Sequence, residues 1–384
     1  MSNRSKNESL RILRISTDVY PEIMGGGSLH AHEMSRLQSE MGHQVTLLTS
    51  DHGDRSAPRI EERAGYTIHR SRQVARPIEN SIMPGIIPQI WQLADDHDVI
   101  HAHSHLYFSS NIAALLARVV DTPFVLTNHG LRSQTAPNLV MNTFLRTIGR
   151  LTFESADQIL CYTETDLKRL RRLNIEAPIS IIHNGVDCEK FTPQAGESQE
   201  KQILFVGRLK ESKGVYSLIR AFARVTDEHP QATLTIVGEG PLKDSLVDLV
   251  EKHHLSDKVE FRGNIPNHEL PSIYAESTVF SLPTNAEGLP RTVLEALACE
   301  TPVLTSDLPQ LEPLVEGVGL TFSRGSLDKL ECGLRKMLDD AERREMMGKR
   351  GRKRVMKNYS WAETVRETTD VYYKILEKSE TMDD

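Results

Sequence analysis

Along most of this chain, short apolar runs closed by Gly, Pro, Asn or Thr alternate with longer stretches in which apolar residues recur every three or four positions. The runs at 10–16, 44–49, 98–102, 123–127, 158–162 and 179–182 predict strands, and the stretches at 25–38, 106–120, 138–154 and 164–173 predict helices between them. The second half repeats the scheme, with strands expected at 202–206, 232–237, 258–261, 277–282, 302–305 and 318–322. Helices are expected from Pro290, over 326–338 and 341–358, and over a last stretch, 360–378, with a Ser cap and Val365, Val371, Tyr372 and Ile375 on one face. Regular strand–helix alternation implies parallel sheets covered by helices on both faces, an α/β architecture of Rossmann type. The segments 51–86 and 131–150 carry no pattern that translates into ligand chemistry.

At 384 residues the chain exceeds one ordinary core. The polar stretch QAGESQEKQ marks a boundary near 193–200, giving domains at 10–195 and 200–358 and a closing helix at 359–380. A net charge of −7 argues against a general nucleic-acid binder. No apolar run approaches the length of a membrane span, and MSNRSKNESLR lacks the apolar core of a signal peptide, so a cytoplasmic protein is expected. Cys161, Cys188, Cys299 and Cys332 form no CxxC pair and read as reduced thiols.

The most informative stretch is PTNAEGLPRTVLEALACETP, 283–302. A strand ends in a Pro/Thr/Asn loop, and a helix opens at Pro290. Its first turn offers the unpaired N–H groups of Leu289, Arg291 and Thr292 and the positive end of a dipole, which together make a phosphate seat. Glu287 before it and Glu295 beyond it would repel phosphate but accept hydrogen bonds from hydroxyls. A ligand with a diphosphate between two polyols, a nucleotide sugar, fits that order. Upstream, GRLKESKG follows a strand and offers Arg208 and Lys213 as two cations for a diphosphate. Gly238, in GEGPLK, makes a compact turn suited to the floor of a base pocket. Gly25, Gly26 and Gly27 follow the first strand but are not a GxGxxG fingerprint, and no acidic residue closes the second strand, which disfavours a nicotinamide dinucleotide. They read equally as a tight turn needing positive φ. His129, in LTNHG, stands at a strand's carboxyl end, where this architecture places ligands. His101, His103 and His105 alternate at strand spacing without a carboxylate or cysteine partner, so they are weak metal ligands. Asp96-His97-Asp98 precedes a strand and reads as a solvated turn. Lys168, Arg169, Arg171 and Arg172 form a basic helical run.

The glutamate, seven residues, glutamate spacing of EGLPRTVLE, together with VGRLKESKG, LTNHG and the Gly-rich first loop, resembles the retaining glycosyltransferases of the GT-B fold, in particular family 4, over nearly the whole of 10–378. The resemblance implies two Rossmann-like domains facing each other across a cleft, the N-terminal one holding the acceptor and the C-terminal one the donor. It implies that Glu295 takes the ribose hydroxyls and that Arg208, Lys213, Arg291 and Thr292 hold the diphosphate. Glu287, Gly288 and Leu289 would orient the sugar, the backbone near Ile265 would face the base, and Gly26 and Gly27 would approach the diphosphate. His129 would face the donor sugar. The expected reaction moves a hexose-type sugar from a UDP- or GDP-linked donor to a hydroxyl acceptor, in glycan, glycolipid or surface polysaccharide assembly. Attack is expected on the leaving-group face, with no metal and no cofactor beyond the donor. The acceptor is compatible with a lipid-linked or a soluble molecule, and the basic helix with peripheral membrane contact. Pro290 and Arg291 depart from the family pattern and leave the sugar open. A non-catalytic sugar-nucleotide binder and a nucleotide-sugar epimerase are the competing readings.

Overall fold

The computed structural model describes residues 8–23, 25–131, 136–194 and 201–382. The chain divides into two units, 1–184 with 361–384 and 185–360. The division falls about ten residues before the expected linker, because Val186 pairs with Ser360 and Val186 N donates to the Tyr359 carbonyl at 2.8 Å, tying the segment after 184 to the second unit. Residues 195–200, the core of the expected linker, lie outside the described residues.

In the first unit, strands β1 (Arg11–Ile15), β2 (Gln44–Ser50), β3 (Ile60–Arg63), β4 (Tyr66–Ser71), β5 (Val99–His103), β6 (Phe124–Thr127), β7 (Gln158–Cys161) and β8 (Ile179–Ile181) form one sheet. Its order is β3-β4-β2-β1-β5-β6-β7-β8, and only the β3/β4 pair is antiparallel. Successive side chains point to opposite faces. Leu13 and Ile15 thus join Ile100, Ala102 and Leu126 in one core, while Ile12 joins Leu47, Ile68, Val99 and Val125 in another. That second core also holds Val371 and Tyr372 of the closing helix Trp361–Met382, which belongs to this unit.

Three local features differ from expectation. Residues 60–71, where no strand is expected, form the β3/β4 hairpin, whose edge strand IEER is charged and half-exposed. The expected helix over 138–154 is two, Asn138–Arg146 and Ile148–Glu154, broken at Thr147. A Cβ on Gly149 would lie 3.1 Å from the Phe144 carbonyl oxygen, so glycine there lets the second helix start close against the first. A further helix, Ile86–Ala94, buries Ile86, Ile90 and Ala94.

In the second unit, β9 (Gln202–Val206), β10 (Thr233–Val237), β11 (Val259–Gly263), β12 (Val279–Leu282), β13 (Val303–Ser306) and β14 (Gly319–Phe322) form a wholly parallel sheet, β11-β10-β9-β12-β13-β14. The strand order reverses between β1 and β5 in the first sheet and between β9 and β12 in the second. Ligands of open parallel sheets bind at the carboxyl ends of such strand pairs. Among the described residues, no helix is long and apolar enough to cross a membrane.

Candidate functional site

The loops after β9 and β12 lie side by side at the second unit's reversal point, and they carry the residues the sequence singled out. Asn285 N and Thr284 Oγ1 both donate to the Ser212 carbonyl, at 2.7 and 2.9 Å. Gly214 has φ 70°, and a Cβ there would fall on the Pro283 carbonyl oxygen, far inside van der Waals contact. Only glycine permits that approach. Gly214→Ala combines a left-handed backbone with an overpacked contact and is expected to cost about 2–4 kcal/mol. Urea unfolding checks the stability.

Within this seat, Lys213 Nζ donates to Glu287 Oε1. The cation expected at the diphosphate and the carboxylate expected at the sugar are therefore an ion pair, with side chains 18% and 14% exposed, which fixes the lysine's direction. The Glu287 carbonyl accepts from Gln310 Nε2 at 2.5 Å, anchoring the loop from the β13 side. Arg208 is exposed, and its guanidinium has no partner among the described residues.

The helix after β12 runs Arg291–Ala298, with Pro290 as its extended N-cap at φ −73° and ψ 118°, so it opens one residue later than expected. Its free N–H groups begin at Arg291 and Thr292, because Val293 N already bonds the Pro290 carbonyl at 3.1 Å. Leu289 is buried and Gly288 exposed before it. Glu295 is 4% exposed, and both its oxygens are engaged, Oε2 by the Tyr274 hydroxyl at 3.0 Å and Oε1 by Arg291 Nη2 at 3.3 Å. A carboxylate oxygen has a second lone pair, so the pinned group can still accept from hydroxyls. Gly238, at φ 128°, packs against the Gly207 carbonyl in the turn after β10, and Ile265 follows β11, half-buried. Tyr274, Gln310 and the Ser212–Thr284 clamp were invisible in sequence, since each meets its partner only through the fold.

In the first unit, Gly26 and Gly27 begin the helix Gly26–Glu40. Neither has positive φ, and a Cβ on either would meet nothing within 4 Å, so the tight-turn reading does not hold. His129 sits at the end of a buried hydrogen-bond chain. Arg14 can only donate, so its 3.3 Å contact makes His103 Nε2 an acceptor and places the His103 proton on Nδ1. That proton goes to His129 Nε2 at 3.0 Å, and His129 Nδ1–H reaches the Tyr162 hydroxyl at 2.8 Å. Burial pushes His129 down to about 4, and His101 and His103 well below their ordinary value, with the positive charge of Arg14 adding to the effect. The His129 ring is thus neutral, committed to internal partners and not poised as a proton donor near pH 7.

His101 stacks on His103 with ring centres 4.7 Å apart and bonds Tyr372 and Thr127, at 2.5 and 2.7 Å. His105 instead packs on Phe153, 4.4 Å between centres. No group of three or more metal-type ligands gathers among the described residues. Asp98 accepts from Arg11 N at 2.7 Å at the amino end of its strand, away from the ligand-bearing loops. Arg171 in the basic helix is spent on the carbonyls of Ile175 and Ala177, at 2.6 and 3.1 Å.

Comparison with known proteins agrees with this geometry. Residues 24–190 match the family described as Glycosyltransferase Family 4, and residues 188–354 match Glycosyl transferases group 1. A glycogen synthase of Mycobacterium tuberculosis is 27% identical over 94% of this chain and 94% of its own. Among solved structures, the sucrose-phosphate synthase of Thermosynechococcus elongatus superposes with a TM-score of 0.83 at 22% identity, covering 96% of this chain and all of that one. Anabaena Alr3699/HepE in complex with UDP and glucose superposes with a TM-score of 0.76 at 16% identity, covering 94% of this chain and 99% of its own. Two family matches that together span both units, joined to the loop geometry at the second reversal point, place the chain in family 4 of the glycosyltransferases, with the GT-B fold.

Proposed function

We propose that the protein transfers a hexose-type sugar from a UDP- or GDP-linked donor to a hydroxyl acceptor with retention of anomeric configuration. The observation that carries this reading is the second unit's seat, where the adjoining loops after β9 and β12 hold Arg208, the Lys213–Glu287 ion pair and the start of the helix that carries Glu295, itself pinned by Tyr274. On this reading the cations and helix dipole neutralise the departing diphosphate, the role a divalent ion plays elsewhere. Glu295 takes the ribose diol. Glu287 aims Lys213 and, with the backbone of Gly288 and Leu289, borders the sugar, while Gly238 and Ile265 border the base. The leaving phosphate oxygen accepts the acceptor proton as the new bond forms on the same face. The UDP and glucose bound by the Anabaena neighbour support a sugar nucleotide as donor.

The test incubates the protein with UDP-glucose or GDP-mannose and an acceptor panel in EDTA, and reads the product's anomeric coupling by NMR. An α-linked product from an α-linked donor, formed without divalent metal, is expected. A β-linked product would refute retention, and strict dependence on added metal would refute the metal-free seat. Donor epimerised without acceptor would favour the epimerase reading, and donor bound but never transferred the non-catalytic one.

A lipid-linked acceptor is favoured by one surface. Leu139 is 79% exposed, and Val140 and Ile148 are exposed beside the basic Arg146 and Arg150. Apolar side chains flanked by cations suit an anionic bilayer surface. Co-sedimentation with phosphatidylglycerol vesicles is expected, and should fall when Leu139 and Val140 are both changed to Ser.

A further inference from the structure

Glu295 is a carboxylate set among apolar neighbours. Val293, Leu294, Ala296 and Leu297 on its helix are all buried, and the Glu295 side chain itself is 5% exposed. A carboxylate so placed is costly unless its oxygens accept hydrogen bonds. Among the described residues, the Tyr274 hydroxyl donates to Oε2 at 3.0 Å and Arg291 Nη2 to Oε1 at 3.3 Å. The shorter bond comes from a side chain that no ligand can touch, since Tyr274 is fully buried. Its phenol is fixed before any ligand arrives. The ring stands edge-on to Phe191 and Phe280, with centres 6.0 and 5.7 Å away. The Tyr274 carbonyl accepts from the Thr301 hydroxyl at 2.6 Å, and Thr301 N bonds the Ala296 carbonyl at 2.9 Å. Tyr274 is therefore tied to the Glu295 helix twice, through its hydroxyl and through its own backbone. Burial, with the Glu295 charge adding to it, holds the phenol well above its ordinary value, so it stays protonated and donates.

We infer that Tyr274 is a positioning residue for ribose recognition: by fixing Glu295 Oε2 it presents the carboxylate's remaining lone pairs to a vicinal diol, and so makes the seat select ribonucleotides over deoxynucleotides. The inference rests on the proposed nucleotide seat and deepens it. A carboxylate has about four lone-pair sites, two on each oxygen. Tyr274 and Arg291 occupy one on each, which leaves one on each for the two protons of a 2′,3′-diol. A sugar lacking those hydroxyls leaves the buried oxygens short of partners, and a site built to bond a hydroxyl rejects the analogue without it strongly. A carboxylate already fixed also loses less freedom when the ligand binds. Arg291 does not replace the phenol, because its longer bond goes to the other oxygen.

Calorimetric titration of the full chain in EDTA tests it, with UDP, GDP and ADP each compared with its 2′,3′-dideoxy counterpart. The unmodified protein is expected to prefer one ribonucleotide over its dideoxy form by about tenfold or more. Tyr274→Phe removes one oxygen and keeps the ring, and melting curves confirm that it is folded. It should lower the ribonucleotide's affinity by about tenfold and leave the dideoxy form's affinity unchanged, so that the preference collapses. In a Glu295→Ala background the same substitution should add nothing, because both changes act through one carboxylate. Equal losses for both nucleotides would mean that the tyrosine only supports the fold, and would overturn the inference. So would a preference that survives Tyr274→Phe, or a ribonucleotide bound no better than its dideoxy form by the unmodified protein. Failure of all three ribonucleotides to bind the unmodified protein would instead refute the nucleotide seat itself, and the inference with it.

Discussion

Lys213→Ala is expected to lower kcat/KM for the sugar nucleotide by at least ten- to a hundredfold. A charge-assisted hydrogen bond contributes about 1.5–3 kcal/mol, and each 1.4 kcal/mol is a factor of ten in rate. The loss exceeds this range if the contact tightens as the diphosphate gains charge, because only that differential lowers the barrier. The geometry adds a second effect. Lys213 is the ion-pair partner of Glu287, whose side chain is 14% exposed, so removing the lysine leaves that carboxylate only the Thr284 hydroxyl, at 3.5 Å, beside the seat. Lys213→Ala should therefore be more harmful than Arg208→Ala, whose guanidinium is exposed and leaves nothing unpaired behind. Glu287→Gln removes the aiming charge but keeps the cation, and should sit between them. Steady-state kinetics on the three variants decide it. Equal losses in Lys213→Ala and Arg208→Ala would mean that the ion pair plays no part in donor handling.

Acidification from pH 7.5 to 5.5 is expected to destabilise the first unit strongly. Nine of its histidines, His32, His43, His52, His69, His97, His101, His103, His105 and His129, are held below the ordinary imidazole value, with burial the largest cause in each. The unfolded chain therefore binds more protons than the folded one as pH falls through about 6.5, and stability declines with it. The loss ends only where the folded rings themselves titrate, about 4 for His129 and about 3 for His105. A histidine shifted that far costs about 1.4 kcal/mol over this window, so His101, His103, His105 and His129 together cost on the order of 5–6 kcal/mol. The window lies above the ordinary carboxylate range, which keeps Glu22, lowered to about 2 by Arg63, outside the effect. Thermal melts at the two pH values measure it. A flat melting temperature would show that these rings are not held neutral.

The sheets were legible in the sequence because parallel strands buried on both faces read as continuous apolar runs, and β9, β12 and β13 lie within two residues of expectation. The β3/β4 hairpin was not, because IEER is a charged edge strand and its turn is Ala64–Gly65, with φ 48° and 85°, without the Asn-Gly signal of a tight hairpin. The adjoining loops after β9 and β12 were legible because their residues lie in two short segments, each beside its own strand end. The chain from Arg14 through His103 and His129 to Tyr162 draws on four elements far apart in sequence. Alternation placed His101 and His103 on one face, yet nothing in the sequence could show that a buried arginine sets the tautomer of His103. Glu295 was identified, while Tyr274, which pins it, was not, since a tyrosine in PSIYAES carries no local mark of a partner 21 residues on.

The central claim is that the seat between the loops after β9 and β12 binds a nucleoside diphosphate. Calorimetric titration of the full chain with UDP, GDP and ADP, each with EDTA, tests it directly. One nucleotide should bind without metal, and affinity should fall at least tenfold in Lys213→Ala and again in Glu295→Ala, where the ribose diol loses its acceptor. If none of the three nucleotides binds, or if binding is untouched by both substitutions, the donor seat is misassigned and the proposed reaction loses its support.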